Sequence, residues 1–313
     1  MADAPNLKIG IIGIGAFGSR VGMRLLWSGF PDLMVYDTHE QTPRFFTGQH
    51  GGMSLGSPKM MAQLCDIVIT ALPSASAMRD VFFGWEGLAT GFKKDGLVMD
   101  VGVTNPSETV AIAKQLEAHG VQLVDAPAFG TPEDAREGRL TMVIGGADSA
   151  VTRCRPVLDK LAARTIRAGA TGSAQAAAAI ADYLRAARLL AVSEAIRLGG
   201  SFGIEPANLL QLCDALGGAA LPELLERQVA TRRFKSGQQL GHLHANVALA
   251  QQLADVSGLP SPLLAATRDA LDKAEARLGY SQDMSALLKW LESLTPPQAQ
   301  AAEGEPEKAT GPA

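Results

Sequence analysis

Cysteine is scarce. Cys65, Cys154 and Cys213 are the only three in 313 residues, and no two of them form a C-x-x-C pair. That excludes a dithiol redox motif or a disulfide framework and predicts reduced thiols in a cytoplasmic protein. Positive charge is also short: 28 Lys and Arg face 32 Asp and Glu, and a net charge of −4 excludes the basic surface that nucleic acid requires. No stretch approaches the roughly 18 consecutive apolar residues of a membrane span. The opening MADAPNLK lacks a charged segment leading into an apolar one, so no signal peptide is expected. No internal repeat is visible. What is present is a 47% hydrophobic chain with 33 glycines, suited to a soluble protein of about two domains.

The informative stretch is Leu7 to Asp37. Ile9 to Ile12 has the length and branching of a buried strand. Gly13, Gly15 and Gly18 then fit G-x-G-x-x-G, and Ala16 to Ser28 reads as a helix with Val21, Leu25 and Leu26 on one side. Leu33 to Tyr36 reads as a second strand closed by Asp37, 24 residues after Gly13. Each glycine has a physical task in a dinucleotide-binding turn. Gly13 permits the tight exit from the strand, Gly15 admits a pyrophosphate close to the backbone, and Gly18 allows helix and strand to pack closely. Ile14, Ala16 and Phe17 complete the loop, and the helix N-terminus offers free N–H groups to phosphate. Asp37 stands where a carboxylate accepts hydrogen bonds from the adenosine ribose. Its charge repels a 2′-phosphate, and no Arg adjoins Thr38 or His39, so NAD(H) is expected over NADP(H).

Strand and helix signals alternate to about Gly169, with strands over 66–71, 97–101, 121–125, 140–144 and 164–167, and helices after Asn105-Pro106 and over 151–161. This predicts a doubly wound, mostly parallel sheet, an α/β Rossmann domain, over residues 1–168. Strand signals then stop. Helices are expected over 173–198, 206–216, 222–230, 241–256, 262–278 and 285–294, giving an all-α domain over 169–295. Residues 296–313, rich in Pro, Glu, Gln and Gly, predict disorder.

A Rossmann half followed by a long helix and an all-helical half resembles the β-hydroxyacid dehydrogenases, the 3-hydroxyisobutyrate dehydrogenase family. Asp125-Ala-Pro-Ala-Phe-Gly-Thr131, Ala135-Arg-Glu-Gly138 and Thr141-Met-Val-Ile-Gly-Gly146 resemble its substrate-binding segment. Gly169-Ala-Thr-Gly172 and Ser193-Glu-Ala195 resemble the frame of its catalytic helix, and Gly258 to Leu263 with Asp283 to Leu288 resemble its closing helices. The resemblance implies a nicotinamide cofactor, with Leu72, Pro73 and Val103 as further contacts to it. It also implies a small-molecule β-hydroxyacid or semialdehyde bound in a cleft between the domains, and a homodimer paired through the helical half.

The family's proton-transferring lysine, its neighbouring Asn and its loop Ser are each replaced. Counting from Gly172, the lysine position is Ala178 and the Asn position is Asp182; the loop Ser position is Phe129, and a Lys-Asp pair becomes Ala245-Asn246. Asp182, four residues after Ala178 and on nearly the same helix face, is the leading replacement proton donor; its alternative is an i,i+3 pair with Arg185. Arg185, seven residues after Ala178, could clamp an acidic substrate or form a structural ion pair. His244 is a second candidate donor, and packing is its alternative. His242 and His244 have the wrong spacing for a two-His metal site on a helix, which prefers i,i+4, so no metal is expected. Phe129 would narrow the substrate loop and add an apolar wall; its alternative is to turn into the core while the loop binds through the backbone of Gly130 and Thr131. Asn246 would line a less charged corner. Two other functions stay open. One is reduction of a C=N bond, as in the related imine reductases. The other is nucleotide binding without catalysis.

Overall fold

A computed structural model of the chain describes residues 7–92, 95–200, 203–215, 229, 231–258 and 260–294. The expected helix over 222–230 and the expected disordered tail lie outside these residues, apart from Val229. The described chain forms two compact units, one of residues 1–182 and 248–259 and the other of residues 183–247 and 260–313.

The first unit is built on nine strands: β1 (Ile9–Ile12), β2 (Met34–Tyr36), β3 (Met53–Ser54), β4 (Ile67–Thr70), β5 (Gly96–Asp100), β6 (Val121–Asp125), β7 (Ala128–Phe129), β8 (Leu140–Gly145) and β9 (Ala162–Gly169). Their order across the sheet is β3-β2-β1-β4-β5-β6-β8-β7, with β9 also beside β8. The strands from β3 to β6 run parallel. The sheet turns antiparallel only where β8 meets β6 and β7, and β9 lies parallel to β8.

Apart from Thr70 and Asp100 at their carboxyl ends, the central strands are apolar because both faces are covered. Every residue of β1, β4 and β5 is buried. Ile9, Ile11, Ile67, Ile69, Leu97 and Met99 enter one core with Val21 and Leu25 of helix α1 (Ala16–Trp27). Ile12, Val68 and Val98, offset by one residue, enter the opposite core with Met78, Phe82 and Ile112. Period two along the strand thus assigns each side chain to one of two cores. Short elements also appear that the sequence pattern did not flag: helices over 41–50, 58–64, 75–83 and 132–137, and the two-residue strands β3 and β7.

From β1 the chain winds outward to β2 and β3, then returns to the other side of β1 as β4. The carboxyl ends of β1 and β4 therefore flank a topological switch point, the place where open α/β sheets leave a crevice. A 28-residue helix, Ser173–Gly200, continues past the sheet, and the division between the two units falls inside it. The second unit includes the helices Pro206–Ala215 and Pro262–Leu278, and Leu240–Ser257 runs across a second division. Cys65 and Cys154 are buried free thiols, both pushed up to about 12 by burial. Among the described residues, no helix is long and apolar enough to cross a membrane, and no group of three or more His, Cys, Asp or Glu could hold a metal ion.

Candidate active site

The glycine loop sits at the switch point. Gly13 leaves β1 at φ +94°, and a Cβ there would lie 2.4 Å from the carbonyl oxygen of Ala71, just past β4. A Cβ on Gly18 would lie 1.9 Å from the carbonyl oxygen of Gly13, so the first turn of α1 fits only with hydrogen at that place. Gly15 differs. It caps α1 at an ordinary φ of −71°, it is exposed, and a Cβ built on it would meet nothing within 4 Å. Packing within the chain explains Gly13 and Gly18 but gives no reason for Gly15. A ligand approaching the backbone and the open N-terminus of α1 does, and the residues present fit a pyrophosphate.

Asp37 follows β2 beside this loop. One of its carboxylate oxygens accepts the N–H of Ile14 at 2.9 Å, and the other accepts the N–H of His39 at 3.0 Å. The Ile14 N–H is thereby engaged within the chain, while Ala16 and Phe17 stand in the first turn of α1. Leu72 and Pro73 follow β4, and Gly102 follows β5 so closely that a Cβ on it would lie 3.0 Å from the Leu72 carbonyl oxygen. Val103, next to it, is half-buried. Gly13, Leu72 and Val103 therefore line successive strand ends of one sheet edge.

Below that edge lies a buried polar cluster that sequence pattern did not single out. Asp100 and Asp125 are register partners at the ends of β5 and β6, and both are fully buried. Asp125 accepts three backbone N–H groups from the start of the long helix, Gly172 at 2.9 Å, Ala174 at 3.0 Å and Gln175 at 3.2 Å. These are donors that a helix cannot satisfy internally, and a carboxylate is the favoured partner for them. Gly145 makes the room, since a Cβ there would lie 2.5 Å from the Asp125 carboxylate. Burial raises the pKa of Asp125, and the backbone donors oppose the shift. Asp100 accepts the Thr70 hydroxyl at 2.8 Å and, more weakly, the Gln175 amide at 3.4 Å. Burial pushes Asp100 up to about 7, with a smaller upward push from Asp125 and with the bonds from Thr70 and Gly102 opposing.

On the long helix, Ala178 is fully buried and Asp182 is 2% exposed. Arg185 donates to Gln238, and burial lowers its pKa to about 10, which leaves it charged at neutral pH. His244 bonds Glu275 at 2.5 Å through Nδ1 and Asp272 at 2.6 Å through Nε2, so both ring nitrogens are engaged by carboxylates of helix Pro262–Leu278. His242 is exposed and stacks edge-on against Tyr280. Asn246 is half-buried on the His244 helix. Phe129 is half-buried in β7, and Gly130 follows at φ +146°. Thr131 donates its N–H and hydroxyl to Asp134, at 2.9 and 2.7 Å, in a capping box that starts the helix over 132–137.

Residues 8–172 match the family model of the NAD-binding domain of 6-phosphogluconate dehydrogenase, and residues 172–291 match that of the NAD-binding domain of NADP-dependent 3-hydroxyisobutyrate dehydrogenase. The chain belongs to the β-hydroxyacid dehydrogenase family. It is 26% identical to 2-(hydroxymethyl)glutarate dehydrogenase of Eubacterium barkeri, over 93% of this chain and 96% of that one. It is 27% identical to mitochondrial 3-hydroxyisobutyrate dehydrogenase of Rattus norvegicus, over 92% of this chain and 88% of that one. The solved structure of Mycobacterium tuberculosis 3-hydroxyisobutyrate dehydrogenase with L-serine superposes with a TM-score of 0.83 at 24% identity, covering 91% of this chain and 99% of that one, and so shares the fold. As a member of this β-hydroxyacid dehydrogenase family, the protein is an oxidoreductase with an NAD-binding domain.

Two outcomes follow from the geometry. Gly18→Ala forces a carbon onto the Gly13 carbonyl and should lower stability to urea by about 2 kcal/mol or more, whereas Gly15→Ala should leave it within about 0.5 kcal/mol. Equal losses would show that both glycines are structural. For Asp100, the unfolded carboxyl titrates near about 4 and the folded one at about 7. Its stabilising contribution is therefore complete below the unfolded value and is lost as the pH rises through the folded one. The stability of Asp100→Asn relative to wild type should climb between about pH 5 and pH 7, by up to about 1.4 kcal/mol per unit. A pH-independent difference in urea midpoints would contradict the raised value.

Proposed function

We propose that the protein is an NAD(H)-dependent oxidoreductase that interconverts a small β-hydroxyacid and its semialdehyde, without the lysine its family resemblance would place at position 178. The single observation that carries the cofactor reading is Gly15, a glycine that nothing in the chain requires, at the open head of α1 on the switch point. Gly13, Gly15, Ala16, Phe17 and Gly18 would hold the pyrophosphate. Asp37 would face the adenosine ribose, and Leu72, Pro73 and Val103 would border the nicotinamide. The Asp37 carboxylate beside the loop favours NAD(H) over NADP(H). The names of the relatives support an acidic hydroxy substrate.

When bound, a reduced nicotinamide supplies a hydride; the chain must then orient the carbonyl and deliver a proton to its oxygen. Ala178 has no proton to give. Asp182, one turn further along the same helix and buried, is the residue we assign to that step. It is preferred to His244, whose two ring nitrogens are already held by Asp272 and Glu275. Arg185, still charged although half-buried, is the candidate clamp for the substrate carboxylate. Phe129 and Gly130 would shape the substrate loop, and Asn246 would contribute a neutral polar group. The helical second unit is the region we expect to pair in a homodimer.

A second reading rests on Ala178 itself. An iminium substrate already carries its positive charge and needs less help from an acid, so loss of the lysine suits reduction of a C=N bond. Consumption of NADH separates the two readings when purified protein is offered small semialdehydes and keto acids in one pool and aldehydes mixed with amines in another. Turnover in the first pool, with NADH preferred to NADPH by about tenfold or more, is the expected result. Turnover confined to the second would replace it with imine reduction, and binding of NADH with no turnover in either would favour a nucleotide-binding protein without catalysis. Asp182→Asn should lower kcat by about a hundredfold while leaving NADH affinity within about twofold. Wild-type kcat in that variant would remove Asp182 from the mechanism.

A further inference from the structure

The start of the long helix reads Ser173-Ala-Gln-Ala-Ala-Ala-Ala179, a single polar amide in an alanine run. Gln175 is fully buried. Its side-chain oxygen accepts the N–H of Thr104 at 3.0 Å, and its side-chain nitrogen donates to the carbonyl of Gly102 at 2.9 Å. The amide thus grips the backbone on both sides of Val103, much as a neighbouring strand would. Its orientation is forced, because the Thr104 N–H can only donate and the Gly102 carbonyl can only accept. The remaining amide hydrogen points to Asp100, which the Thr70 hydroxyl also holds. Asp125 fixes the Gln175 backbone from beneath. The residue gripped, Val103, is half-buried, and it sits between Val101 and Thr104, which are buried.

We infer that Gln175 is a positioning residue that sets the height of Val103 at the sheet edge and so the seat of the nicotinamide end of the dinucleotide. The inference rests on the cofactor reading proposed above. A two-point hold on one residue restricts that residue alone, so the effect should be local. The pyrophosphate contacts of the glycine loop and the adenosine contact of Asp37 lie two and three strands away in the order β2-β1-β4-β5.

The test compares two probes by calorimetric titration: NADH, and ADP-ribose, which lacks the nicotinamide. Gln175→Met keeps the length and removes the two bonds to Gly102 and Thr104 together with the weaker one to Asp100. It should weaken NADH by about tenfold while ADP-ribose stays within about twofold of wild type. Parallel weakening of both probes would mean that Gln175 serves only folding, and no change in either would mean that Val103 needs no such hold; either result overturns the inference. Failure of wild-type protein to bind NADH would overturn the cofactor reading itself and the inference with it.

Gln175→Glu covers the case in which Gln175→Met does not fold. When protonated, the new carboxyl can still accept from Thr104 and donate to Gly102; when ionised, it opposes the Gly102 carbonyl and Asp100. Its NADH affinity, relative to wild type at the same pH, should therefore recover near about pH 5.5 and fall near about pH 8, with ADP-ribose unaffected. A ratio that does not change with pH would count against the hold on Val103.

Discussion

The carboxylate of Asp125 under the head of the long helix is the constraint on which the rest of the first unit depends. A 28-residue helix begins with N–H groups that have no partner of their own, and here they begin inside the protein, away from water. Asp125 accepts three of them from a strand about fifty residues earlier in the chain. Removing that acceptor would leave several buried donors unsatisfied, each costing about 1–3 kcal/mol. The cap also sets geometry: it fixes where Gln175 lies, and through Gln175 the backbone around Val103. Gly145 belongs to the same arrangement, because only a residue without a side chain leaves space for the carboxylate on the neighbouring strand.

Placing Asp100 beside Asp125 has an electrostatic consequence. Two carboxylates at adjacent strand ends, both out of water, do not ionise independently. Asp125 has three helix N–H donors to stabilise its charge, whereas Asp100, more deeply buried, has the Thr70 hydroxyl, a Gly102 backbone N–H and the Gln175 amide at 3.4 Å. The burden of burial therefore shows at Asp100, whose affinity for a proton rises into the neutral range. Such a cluster is tolerated because every member is hydrogen-bonded, and it makes the seat of the β5 segment a specified structure rather than a loose loop.

The candidate site was legible in the sequence where its chemistry is local. Gly13, Gly15, Gly18 and Asp37 are close enough in the chain for a strand, turn and helix to be read as one unit, and the fold places them together at the switch point. The all-α second half and the long helix were legible from alanine and leucine content. Asp100, Asp125, Gln175 and Thr70 were not legible as a cluster, because their partners lie 30 to 75 residues away. A lone Gln in an alanine run was the available signal, and it says that a polar group is being kept without saying by what. Likewise the capping box at Thr131 and Asp134 and the carboxylates around His244 are pairings that residue type alone does not choose.

By itself the sequence determined the period of each element, the two domain classes, the presence of a dinucleotide loop and an alanine, which has no proton to give, at position 178. Those follow from short-range rules: apolar spacing, glycine at tight turns and the residue types that proton transfer needs. The tertiary structure decided which glycines are required by packing within the chain, how burial and hydrogen bonds divide between the two neighbouring carboxylates, and which side chains are already engaged within the chain. These depend on distance in space, on exclusion of water and on the count of hydrogen-bond partners, and none of those quantities exists until the strands are brought side by side.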